Sequence, residues 1–81
     1  MNPEIKRETE KLKVRLEDYR RSIEDFCGNI EKLIQILQEE DVENALKVIA
    51  EVLRALGNLK HEESHLIESL SDILPKILRK R

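Results

Sequence analysis

His61 and His65 stand four residues apart with Glu62 beside the first of them, in the run His61-Glu62-Glu63-Ser64-His65. On a helix that spacing sets both imidazoles on one face, where they can hold a divalent metal while a neighbouring carboxylate activates water. The same run contains Glu62-x-x-His65, a carboxylate and an imidazole one turn apart, the way helical bundles present ligands to paired irons. Other groups with chemical character are Glu63, the single cysteine Cys27, and two sets of bases near the chain ends: Arg7 and Lys11, then Lys76, Arg79, Lys80 and Arg81. What any of them does depends on the elements that carry them.

Those elements read as helices. The chain has 81 residues, 40% of them charged, with Tyr19 and Phe26 as its only benzene rings and two glycines. Such a composition belongs to helical bundles and coiled coils. Ile5, Thr9, Leu12, Leu16, Tyr19, Ile23, Phe26, Ile30, Leu33 and Leu37 follow one another at alternating steps of four and three. This is a heptad seam, with Thr9 its one polar member. Asn2 and Pro3 suit a helix start, so the first helix is expected over 3–38, roughly 54 Å at 1.5 Å per residue. Cys27, Ile34 and Ile36 widen its stripe, so its second half is expected to be the better buried.

Asp41 can cap a second helix, expected over 42–80. Val42, Ala45, Ile49, Val52, Leu56, Leu59, Glu63, Leu66, Leu70, Ile73 and Ile77 form its stripe at the same alternating steps. Gly57-Asn58 resembles a stop and restart, which would give three helices, but the apolar phase crosses it without a slip. Pro75 is expected to kink the last turns. The fold class is all-α: a long antiparallel, coiled-coil-like hairpin, or a three-helix unit broken near Gly57. An 81-residue chain without a disulfide makes a marginal core alone. The expected assembly is therefore a dimeric helical bundle, with Leu12, Leu16, Tyr19, Ile23, Phe26, Leu66, Leu70 and Ile73 at the interface.

Set on these helices, the chemical motifs weaken. The five-residue run matches the H-E-x-x-H pattern of zinc peptidases, but a third ligand and a substrate cleft are missing. Glu62 and His65 also fit the E-x-x-H element of ferritin-like di-iron bundles, with Glu17 and Asp18 level on the first helix. Wheel angles place both histidines opposite the apolar stripe, facing solvent, so no metal or cofactor is expected. Ser64, Ser69 and Ser71 have no partners for nucleophilic catalysis, and no glycine-rich phosphate loop exists. The chain is expected not to be an enzyme.

Glu63 falls in the second stripe between Leu59 and Leu66, where a carboxylate must be paired or hydrated. Tyr19, Arg15 and Arg20 are its expected partners. Cys27 lies beside the first seam and reads as a small core residue.

Charge is uneven: residues 1–21 carry seven bases and five acids, 72–81 four bases and one acid, and 22–71 four bases and eleven acids. A hairpin gathers the basic termini at one end and leaves the turn end acidic. Arg7, Lys11, Lys76, Arg79, Lys80 and Arg81 are thus candidates for anion binding, including nucleic acid. No base-reading motif accompanies them. The expected function is a non-enzymatic oligomerisation and protein-interaction module, cytoplasmic and free of the membrane. A nucleic-acid-binding helical dimer and a ferritin-like metal-binding half-bundle are the alternatives.

Overall fold

The computed structural model describes residues 2–79, in two α-helices: α1, Pro3–Gln38, and α2, Val42–Arg79. They lie antiparallel as one hairpin, 59 Å long and 16 by 14 Å across. The ends follow from local chemistry. The Asn2 side chain accepts a hydrogen bond from the Glu4 N–H at 2.8 Å, and Pro3, lacking an N–H, fills the first helical position. At the other end, Glu40 N–H bonds the Leu37 carbonyl at 3.0 Å and Asp41 N–H bonds that of Ile36 at 3.2 Å. This is a Schellman closure, with Glu40 left-handed at φ 56° where glycine is usual. Asp41 then caps α2, accepting from the Asn44 N–H at 3.2 Å.

No break occurs at Gly57-Asn58, so the three-helix arrangement is not the one adopted, and α2 also runs through Pro75. Both Gly57 and Pro75 are exposed, so the backbone groups around them meet water. The expected end of the second helix at Lys80 lies outside the described residues. No helix among them is long and apolar enough to cross a membrane.

The line where the helices meet is not the expected one. Each helix keeps half of its stripe: Leu12, Tyr19 and Phe26 of α1, and Val52, Leu59, Leu66 and Ile73 of α2, are half-buried. The alternate layers have moved back by one residue. Glu8, Arg15 and Ser22 take the places expected for Thr9, Leu16 and Ile23. Val48, Ala55, Glu62 and Ser69 replace Ile49, Leu56, Glu63 and Leu70. The buried residues, Glu8 apart, are small: Ser22, Ala45, Val48, Ala55 and Ser69. Small side chains at alternate layers let two helices approach closely; the larger aliphatics beside them are turned aside.

Candidate interaction surface

That one-residue offset decides the surface. Ile23, Ile30 and Leu37 each follow a residue of the seam in α1, as Leu46, Ile49, Leu53, Ile67, Leu70, Leu74 and Ile77 do in α2. One step along a right-handed helix turns a side chain by 100°, and in an antiparallel pair this turn leads to the same side of both helices. The hairpin therefore has one apolar side. Leu46 and Leu53 are 65% and 63% exposed there, and Leu16, Ile34, Leu37, Leu70 and Leu74 are about half exposed. Of the residues expected at an interface, Leu12, Tyr19, Phe26, Leu66 and Ile73 lie between the two helices of the chain. Leu16, Ile23 and Leu70 lie on the apolar side.

Three expectations are corrected by the same rotation. Glu63 is exposed, and Glu62 occupies the seam instead. The partners expected for Glu63 are engaged elsewhere: Arg15 with His65 at 3.0 Å and Arg20 with Glu17 at 3.5 Å. Cys27 is exposed on the apolar side. The second half of α1 is not the better buried, since Ile34 and Leu37 stand half open.

The opposite side is polar. Arg54 bridges from Glu51 to Asp25 across the helices, at 3.0 and 3.1 Å. Those two carboxylates, Glu51 foremost, hold its guanidinium above its ordinary pKa. Asp18, Arg21, Asp25, Asn58 and Glu62 line a shallow hollow.

His65 of the histidine pair lines a second hollow, with Arg7, Lys11, Arg15 and Asp72. His61 is exposed, but His65 is half-buried rather than facing solvent as expected. Ligand atoms of His61, Glu62 and His65 lie within 4.8 Å of one another. Yet the Arg15 guanidinium donates to His65 Nδ1, which puts the ring proton on Nε2 and a cation where a metal would bind. Glu62 Oε2 is buried with no hydrogen-bond partner, 3.9 Å from that same nitrogen. Glu17 and Asp18 do not complete a metal site, being paired with Arg20 and Arg21 on their own helix.

The basic end is largely neutralised. Lys76 reaches the buried Glu8 at 2.8 Å and Glu4 at 3.7 Å, Arg79 reaches Glu4 at 3.5 Å, and Lys11 reaches Glu8 at 3.6 Å. Of the anion-binding candidates, Arg7 is exposed, and Lys80 and Arg81 lie outside the described residues. Sequence reasoning missed this clamp, although Glu4 and Glu8 at i, i+4 facing a lysine near the other terminus was a readable signal. Comparison of the chain with protein-family models, with curated proteins and with solved structures gives no match.

Proposed function

We propose that this chain is a non-enzymatic helical interaction module that works by self-association, two hairpins joining their apolar sides into a four-helix bundle. The observation that carries this reading is the apolar side, whose exposed aliphatics run from Leu37 and Val42 at the turn to Ile77 near the termini. Soluble monomers rarely leave so large an apolar patch open.

Area supports it too. The chain exposes 6196 Å² at 9.6 kDa, whereas surface scaling gives about 5,100 Å² for a folded monomer of that mass. The excess, on the order of 1,000 Å², matches the roughly 800 Å² that each partner gives to a standard interface. Covering the apolar side with a copy leaves the polar hollows outward, free for a protein partner. A reducing, cytoplasmic setting suits the exposed thiol of Cys27.

Light scattering of the purified protein tests the reading. The expected mass is twice 9.6 kDa at micromolar concentration, falling to one chain in a Leu46→Glu, Leu53→Glu variant. A wild-type protein that stays monomeric at millimolar concentration rejects it.

A further inference from the structure

The apolar side is interrupted near its middle in both helices. In α2 its row of aliphatics is broken only by Lys60 and Glu63, and in α1 Arg20 stands between Leu16 and Ile23. The cross-helix pairs Asp25–Arg54 and Arg15–His65 fix the register of the hairpin, and it sets Arg20 beside Lys60 and Glu63. Arg20 and Lys60 are also the middles of Pro3–Gln38 and Val42–Arg79. A polar layer thus divides the apolar side halfway along.

Charge divides at the same level. The turn half, residues 22–60, holds eight acids and four bases; residues 1–21 and 61–81 together hold eleven bases and nine acids. Each hairpin is negative at one end and positive at the other.

We propose, resting on the self-association argued above, that the partner is a second copy laid antiparallel, its turn beside the first copy's termini, with Arg20, Lys60 and Glu63 of both copies meeting across the twofold axis. Antiparallel overlap places the acidic half of each hairpin against the basic half of the other. It also brings Glu63 of one copy level with Lys60 and Arg20 of its partner. In a parallel pair every residue is level with its own copy, so acidic turn meets acidic turn. Buried opposite charges at one layer also penalise slipped registers, in which Glu63 faces a leucine.

Two measurements decide it. A spin label at the turn, on Glu39→Cys in a Cys27→Ser background, is expected to give an inter-label distance of about 55 Å by pulsed dipolar spectroscopy. That value is twice the span from the middle of α1 to the turn at about 1.5 Å per residue. A distance below about 30 Å overturns the antiparallel arrangement while leaving self-association standing. A monomeric mass with no dipolar signal overturns both.

The layer itself is tested by mixing Glu63→Lys protein with Arg20→Glu, Lys60→Glu protein. Each alone is expected to associate at least tenfold more weakly than wild type. Their equimolar mixture is expected to form mainly the mixed dimer in native mass spectrometry, and a statistical mixture overturns the layer.

Discussion

Glu8 is the residue on which the open end of the hairpin turns. It is 4% exposed, and its carboxylate takes a 2.8 Å hydrogen bond from Lys76. That bond, ahead of the charges of Lys11 and Lys76, holds its pKa below the usual carboxylate range, against the upward push of burial. The folded chain therefore gives up the Glu8 proton more readily than the unfolded chain. The stabilisation is complete above the ordinary value, about 4.3 for a free glutamate, and is lost as pH falls through the lowered one. Glu8→Gln is expected to lower the melting temperature at pH 7 and to flatten the acid side of the stability curve. The two proteins should converge well below pH 4. A variant that keeps the wild-type acid limb shows that the clamp contributes nothing.

At the level of elements, two positions in the backbone are poorly matched to their residues. Glu40 holds a left-handed conformation that costs an L-residue roughly 1–2 kcal/mol and glycine almost nothing. Gly57 lies inside α2 with open space where a β-carbon would stand, and alanine there is worth about 1 kcal/mol. Glu40→Gly and Gly57→Ala are each expected to raise the melting temperature by about 4–8 °C, as roughly 1 kcal/mol does for a domain this small. Thermal unfolding followed by circular dichroism checks both, and a decrease at Gly57→Ala would mean that something packs against that face.

The helices themselves were legible in the sequence, for reasons of the same local kind. Asn2 with Pro3 and Asp41 after two glutamates marked where they start, and an apolar phase that never slips at Gly57 favoured two helices while leaving three open. What stayed illegible was which half of each stripe faces the other helix. A wheel sums an apolar stripe into one direction, and here each stripe serves two: Leu12, Tyr19, Leu66 and Ile73 point at the paired helix, while Leu16, Ile23, Leu70 and Ile77 point aside. Polar and small residues such as Ser22, Ala55 and Ser69 complete the seam because closeness matters there more than hydrophobicity. The exposed Cys27 and Glu63 and the half-buried His65 follow from that one choice.

For the whole molecule, shape and stability are linked. Its radius of gyration is 18.2 Å, against about 12 Å for a compact chain of this length. A two-helix hairpin with its larger aliphatics outward has little stability of its own, so folding and association should run together. The melting temperature is then expected to rise with protein concentration, by mass action on the dimer. A midpoint that stays constant over a hundredfold range of concentration identifies a self-sufficient monomer.

The rod form, 59 Å by 16 by 14 Å, also governs how the molecule moves in solution. Nearly every N–H bond in two long antiparallel helices lies along the rod, so almost all amides report the slow end-over-end tumbling. Joining hairpins side by side thickens the rod without lengthening it, making rotation slower but more nearly isotropic. Joining them end to end lengthens the rod and slows the end-over-end tumbling far more. Amide relaxation can therefore distinguish these assemblies from the end-over-end tumbling time alone, before any interface contact has been assigned.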